Sequence, residues 1–140
     1  MLKIEKSVLN TIIDHAREDA PVEACGYLAA GDGIVRRHYR LANLDRAGDP
    51  FSMDPREQFE TIRRMREDGL VPVAVYHSQP ETPARPSVED IRLAHDPGVS
   101  YVIVSLAARE PVVKSFRIVE ARVTPEEIFI VRPADGEVKK

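Results

Sequence analysis

A short apolar run that ends in a histidine constrains this chain more than any other feature. Residues 70–76, LVPVAVY, are rich in β-branched side chains and predict a buried strand, with His77 at its C-terminal end. The run YVIVSL at 101–106 predicts a second buried strand. The fold must therefore be built around buried strands, and one of them delivers a histidine at its end.

Helical patterns are mixed with further strands. Apolar residues at helical spacing predict a helix over 7–19, ended by Pro21. Asp54 and Pro55 predict the start of a second helix, with Phe59, Ile62 and Met65 as its buried stripe. A third helix is predicted from Ser87 to His95. Further strands are predicted at 23–31, 34–41, 112–119 and 126–131, and a loop at 42–50.

These elements show no regular βαβ alternation, which favours one α/β domain with a mixed, mainly antiparallel sheet flanked by helices. The 140 residues fit a single domain, predicted over 1–132, followed by a polar tail at 133–140 that we expect to be frayed.

Composition excludes several classes of function. The net charge is -3 and the basic residues are scattered, so nucleic acid is not an expected partner. No apolar stretch approaches the roughly 18 residues of a membrane span, and the N-terminus lacks the apolar centre of a signal peptide. Cys25 is the one cysteine, which rules out an internal disulfide and fits a cytoplasmic protein.

Polar side chains gather after the first buried strand. His77 and Gln79 are two residues apart on an extended segment, so they share a face. The proline-rich loop at 80–86 could bring Asp90 back toward them. A catalytic zinc site uses three protein ligands and leaves a fourth position for water. Glu23, a charged residue entering an apolar strand, is the candidate to take the proton of that water.

Each of these residues also has a simpler interpretation. Glu23 fits a solvated strand end, and His77 and Gln79 fit ordinary polar positions at a strand end and in a loop. Ser87 and Asp90 fit a capping box, with Ser87 as the N-cap of the third helix. A carboxylate has two oxygens, so Asp90 can cap a helix and bind a metal at the same time.

The arrangement as a whole resembles the JAMM (MPN-plus) zinc metalloprotease family. That family has an early glutamate followed by His-x-His-x(7)-Ser-x-x-Asp. Glu23 in EACGYL matches the glutamate, His77 the first histidine, and Ser87 and Asp90 the end of the motif, with the spacer 80–86 intact. The stretches HAREDAPVEACGYL and YVIVSL look closest to the small bacterial branch that trims ubiquitin-like sulfur-carrier proteins in cysteine biosynthesis.

The resemblance implies a cytidine-deaminase-like MPN fold and a zinc-dependent peptidase or isopeptidase. Its partner would be the C-terminal tail of a small ubiquitin-like sulfur carrier, bound along an exposed strand edge. His77 and Asp90 would bind Zn²⁺, and Glu23 would act as general base and acid. Ser87 would help to hold the oxyanion. The resemblance leaves the oligomeric state open.

Gln79 stands where the family has its second histidine. Three outcomes are open. Gln79 ligates a metal through its carbonyl oxygen, in a weaker site or with another metal. Alternatively, another side chain replaces it, with His38, His95 and the thiolate of Cys25 as candidates. In the third outcome the site is empty and the domain is a binding module, as in MPN-minus members. A small-molecule hydrolase such as a deaminase is a further alternative, weakened by the lack of a Cys-x-x-Cys element.

Overall fold

The computed structural model of the chain describes residues 1–42 and 54–132, so most of the predicted loop at 42–50 and the predicted tail lie outside the described residues. The described helices are α1 (Lys6–Asp19), α2 (Pro55–Glu67) and α3 (Val88–Arg92). The described strands are β1 (Leu2–Glu5), β2 (Cys25–Gly31), β3 (Ile34–Leu41), β4 (Val71–Gln79), β5 (Ser100–Ser105), β6 (Val112–Val119), β7 (Arg122–Glu126) and β8 (Ile128–Val131). None of these helices has the length and apolar character needed to cross a bilayer.

The eight strands form one sheet in the order β7-β6-β5-β4-β2-β3-β1-β8. Strand β4 pairs antiparallel with β2 and parallel with β5. The β2/β3, β5/β6 and β6/β7 pairs are antiparallel, while β1 pairs parallel with both β3 and β8. The predicted mixed, mainly antiparallel sheet is therefore confirmed, with the strand that carries His77 near its middle.

The sheet curves until its two edges approach each other. Strands β7 and β8 lie at opposite ends of the strand order, yet only Glu127 separates them in sequence. Glu126 and Ile128 are two chain steps apart, at most about 7 Å, so the end of β7 lies close to the start of β8. The buried carboxylate of Glu126 sits at this seam, where Oε1 accepts a hydrogen bond from the Ser115 hydroxyl at 2.8 Å and Oε2 lies 3.5 Å from the N-terminal amine.

Two helices cover opposite faces of the sheet. The apolar side of α1, including Val8 and Ile12, packs in one core with Leu28, Tyr76 and Val104. On the other face, Met65 of α2 packs against Ala29 and Tyr39.

The predicted buried stripe of α2 is only partly right. Met65 is fully buried and Ile62 half-buried, but Phe59 is 68% exposed and Thr61 is buried instead. Phe59 and Met65 are six residues apart, about 240° around a helix of 3.6 residues per turn, so both cannot face the sheet. Thr61 lies only about 40° from Met65 and takes the inner position.

Replacement of Glu126 should weaken the closure of the sheet. We expect Glu126→Ala to lower the free energy of unfolding by about 1–3 kcal/mol, because the buried Ser115 hydroxyl loses its acceptor. The control is Glu127→Ala, which removes an exposed side chain from the next position and should change stability by less than about 0.5 kcal/mol. Urea unfolding measures both, and equal effects would contradict the role given to Glu126.

A buried histidine links stability to pH. His15 Nδ1 lies 2.8 Å from the Tyr76 hydroxyl, and His15 Nε2 lies 3.2 Å from Asp19 Oδ2. Burial lowers the pKa of His15, although the charge of Asp19 opposes this. Burial also raises the pKa of Tyr76, so the tyrosine keeps its proton. The neutral ring accepts from Tyr76 at Nδ1 and donates to Asp19 at Nε2.

The unfolded chain should therefore bind a proton at His15 more readily than the folded chain. We expect the free energy of unfolding to fall as the pH drops below about 6.5, the ordinary histidine pKa. Above about pH 7.5 the histidine is neutral in both the folded and the unfolded chain, so it should not make stability depend on pH. His38, whose pKa is also lowered by burial, contributes in the same direction. Unfolding at pH 7.5 and 5.5 tests this: His15→Gln should lose less stability between the two pH values than the wild type.

Candidate active site

The C-terminal end of β4 presents three consecutive buried polar residues. The strand runs on to Gln79, beyond the apolar run, because both neighbours continue to pair with it. His77 lies opposite Cys25 of β2 and Ile103 of β5, and Gln79 lies opposite Ser105. His77, Ser78 and Gln79 are all buried.

Glu23 is held close to this strand end by its neighbour. Strand β2 begins at Cys25, but Ala24 still pairs with β4: its N–H donates to Ser78 Oγ at 2.8 Å, and Ser78 N–H donates to Ala24 O at 2.9 Å. Continuing the Cys25–His77 register by two residues places Glu23 across from Gln79. Side chains alternate along strands, so Glu23 shares the face of Cys25 and His77.

The predicted capping box is confirmed at the start of α3. Ser87 Oγ accepts from the N–H of Asp90 at 3.0 Å, and Asp90 Oδ2 accepts from the N–H of Ser87 at 2.8 Å. The helix ends at Arg92 and is shorter than the predicted 87–95. Its first turn is what matters, because it holds the buried Asp90 with Oδ2 only 3.3 Å from His77 Nε2.

Gln79 lies between these two groups. Its Nε2 donates to Asp90 Oδ2 at 3.0 Å and lies 3.3 Å from His77 Nε2. Its Oε1 accepts from the hydroxyl of Thr82 at 3.1 Å. His77 Nε2 can accept from Gln79 or donate to Asp90, but a single ring nitrogen cannot do both. The Gln79–Asp90 bond is the shorter contact and exists in either case.

Asp90 is ionised and has one oxygen still available. Burial alone would raise its pKa, but the hydrogen bond and charge of His77 and the donors of Ser87 outweigh burial, and the pKa is lowered. Oδ2 is the oxygen that contacts His77 Nε2, Gln79 Nε2 and the N–H of Ser87. Oδ1 is buried and has no hydrogen-bond partner among the described residues. An unpartnered buried carboxylate oxygen is costly in protein alone and is what a cation would satisfy.

The alternatives to Gln79 as third ligand are not supported. Within residues 1–42 and 54–132, no three His, Cys, Asp or Glu side chains are grouped closely enough to hold a metal, which excludes His38 and His95 as partners of His77 and Asp90. Cys25 is buried, its thiol contacts Leu41 O, and burial raises its pKa to about 12. It remains a thiol at neutral pH, its proton is directed at Leu41 O of β3, and among the described residues it does not group with His77 and Asp90. The available donors are His77 nitrogen, Asp90 oxygen and the Gln79 amide oxygen, a set that fits a divalent cation.

The chain resembles known proteins over most of its length. A family model described as prokaryotic homologs of the JAB domain matches residues 5–119. The chain belongs to this family. It is 39% identical over 136 residues to the CysO-cysteine peptidase of Mycobacterium tuberculosis strain H37Rv, covering 94% of this chain and 92% of that protein. It is 32% identical over 95 residues to a probable TtuB-protein conjugate cleaving protease of Thermus thermophilus, covering 67% and 64%.

Solved structures support the same fold. Protein DSY2949 from Desulfitobacterium hafniense is 47% identical and superposes with a TM-score of 0.86 over 94% of each chain. A structure described as a JAMM metalloprotease-like zinc site in the proteasome and signalosome is 20% identical, with a TM-score of 0.59 over 94% of this chain and 98% of that one. The JAB/MPN fold expected from the resemblance is confirmed.

The sheet topology limits where a substrate tail could add a strand. Strand β4 is paired on both sides, and the edges of the described sheet are β7 and β8. The exposed strand edge expected to bind the tail is therefore not an edge of β4. Sequence patterns also gave no signal for the support that Thr82 gives Gln79, because an isolated loop threonine has no periodicity.

The Ala24–Ser78 pair should stabilise the site end of the sheet. Ser78→Ala leaves the buried N–H of Ala24 without its acceptor, so we expect a loss of about 1–3 kcal/mol in the free energy of unfolding. Hydrogen exchange of the Ala24 amide, followed by NMR, should speed up in the variant. An unchanged exchange rate would show that this hydrogen bond does not form in solution.

Proposed function

We propose that this protein is a metal-dependent peptidase that cleaves near the C-terminus of a small ubiquitin-like sulfur carrier. The observation that carries the proposal is the buried Asp90 carboxylate beside His77, with Oδ1 unpartnered among the described residues. Membership of the prokaryotic JAB family and the similarity to a CysO-cysteine peptidase support the reaction and the substrate class.

His77, Asp90 and Gln79 are the proposed ligands, with Zn²⁺ as the proposed metal. Bound zinc lowers the pKa of water toward neutrality and polarises a carbonyl group. Gln79 would ligate through Oε1 and is a weaker ligand than the imidazole of the family motif. The capping box contributes by fixing Asp90, since the N–H of Ser87 holds Oδ2 and leaves Oδ1 for the metal.

Glu23 and Ser87 are the proposed catalytic residues. Glu23 takes a proton from the attacking water as the water adds to the scissile carbonyl carbon, and returns it to the leaving nitrogen as the C–N bond breaks. Ser87 Oγ accepts the capping hydrogen bond with a lone pair, and its own proton, which interacts with the Asp90 carboxylate, would turn to donate to the carbonyl oxygen of the substrate. Ser87 is exposed, which suits contact with a substrate.

Peptidase activity can be tested on a sulfur carrier extended at its C-terminus, with intact mass as the readout. Wild-type protein loaded with Zn²⁺ should release the extension, and Glu23→Gln should lower kcat at least about 100-fold while keeping the metal. The control Glu81→Gln removes an exposed carboxylate near the strand end and should keep full activity. Metal-loaded wild type that fails to cleave, or a Glu23→Gln variant as active as wild type, would overturn the proposal.

A binding module is the second candidate, favoured by the bond from Gln79 to Asp90, which occupies the site without a metal. Gln79→His separates the two functions. If the wild type is inert but the variant gains both zinc and cleavage, the natural protein is a module that binds without hydrolysis.

A further inference from the structure

Gln79 stands where the family motif has a metal ligand, and its side-chain NH₂ group points into the site. Its terminal NH₂ carries two protons, donates to Asp90 Oδ2 at 3.0 Å and lies 3.3 Å from His77 Nε2, which accepts the second proton when the ring carries its own proton on Nδ1. An amide can therefore satisfy part of this buried, ionised centre with no cation present. A histidine at the same position has at most one N–H on each side of its ring and cannot bridge both groups from one atom.

The same side chain has a second orientation. A half-turn about the terminal bond exchanges the amide nitrogen and oxygen, and this torsion is broad and roughly two-fold. Oε1 then faces His77 and Asp90, where an oxygen is repelled by the carboxylate unless a cation lies between them. The orientation of the amide is thus tied to the presence of positive charge.

Thr82 serves both orientations. Its hydroxyl now donates to Gln79 Oε1 at 3.1 Å, and a hydroxyl can equally accept from the Nε2 that would replace it. The Thr82 carbonyl is held by the hydroxyl of Ser105, which lies opposite Gln79 in the sheet. The loop therefore keeps the hydroxyl beside the amide in either state.

We propose that Gln79 is a two-state ligand: its NH₂ group bridges Asp90 and His77 in the metal-free protein, and its carbonyl oxygen joins them on a divalent cation after the amide turns. The inference rests on the proposed function only in that it concerns the same metal site, and it does not depend on peptide cleavage. The cation must displace the amide hydrogen bonds, so it binds more weakly than at a site with two histidines. One nitrogen with oxygen donors is also a harder set, so preference for Zn²⁺ over Mn²⁺ should be reduced.

NMR observes the turn of the amide directly. The chain has four side-chain amides, those of Asn10, Asn43, Gln58 and Gln79, and the Gln79 pair is assigned by its absence from the Gln79→His spectrum. When Zn²⁺ is titrated into EDTA-treated and dialysed protein, the Gln79 NH₂ signals should shift and the Gln58 signals should stay. Gln79 signals that remain unchanged at saturating Zn²⁺ would overturn the proposal.

Calorimetry and thermal unfolding test the energetic consequences. Gln79→His should bind Zn²⁺ at least about 100-fold more tightly than wild type. Loss of a residue that only supports a metal ligand already costs up to about 100-fold in metal affinity, and position 79 is itself a proposed ligand. Its ratio of Zn²⁺ to Mn²⁺ affinity should also be higher. Gln79→Glu places a carboxylate beside Asp90, so its Tm in EDTA should fall below that of wild type and recover with either metal. Equal zinc affinities for wild type and Gln79→His, or equal Tm values in EDTA for wild type and Gln79→Glu, would contradict the two states.

These readouts separate the inference from the proposed function. If the Gln79 amide turns and the affinities follow the expected order, but sulfur-carrier extensions are not cleaved, the two-state ligand holds and the peptidase proposal fails. If cleavage occurs while the Gln79 amide signals do not respond to zinc, the peptidase proposal holds and the two-state ligand fails.

Discussion

The site depends on the pairing of β4 along both of its edges. Strand β2 pairs with it as far as His77 and β5 as far as Gln79, so His77 is fixed by backbone ladders on two sides and Gln79 on one. A polar residue at a frayed strand end would be solvated and mobile. Here the same residues are buried and held in register, and Ala24 extends the pairing far enough to bring Glu23 level with Gln79.

The short helix α3 completes the site, because the Asp90 carboxylate both caps this helix and faces His77. The capping box of α3 orders only five helical residues, and little energy is expected from so short a helix. Its role is to orient Asp90, since the two bonds between Ser87 and Asp90 fix the side chain that meets His77. The alternatives posed by the sequence, helix cap and metal ligand, are therefore compatible, with Oδ2 used for the cap and Oδ1 left available.

Local patterns predicted the buried strands, α1 and α2 well, because those segments carry strong periodicity or turn signals. They missed β1 and β7, since short half-exposed strands such as Arg122–Glu126 owe their pairing to the sheet rather than to their own composition. The exposure of Phe59 was also missed, because three apolar residues at 59, 62 and 65 do not share one face. For the site, spacing and resemblance predicted Glu23, His77, Gln79, Ser87 and Asp90, and the structure brings His77, Gln79, Ser87 and Asp90 together, but neither predicted the hydrogen bonds that Gln79 makes. Those depend on Thr82 and Ser105, which come from a loop and a neighbouring strand.

In the proposed metal site, glutamine at position 79 would alter both the metal-bound and the metal-free state of the binding equilibrium. The affinity of a site is the difference between the metal-bound state and the metal-free state, so a side chain that stabilises the empty site weakens binding even when its ligand atom is well placed. A second histidine would leave Asp90 poorly satisfied without metal, and the bound ion would relieve that cost. Gln79 already relieves part of it through its bond to Asp90. Two effects therefore act in the same direction, a weaker donor in the bound state and a better satisfied carboxylate in the free state, and together they favour a metal that exchanges with its surroundings over one that is permanently held.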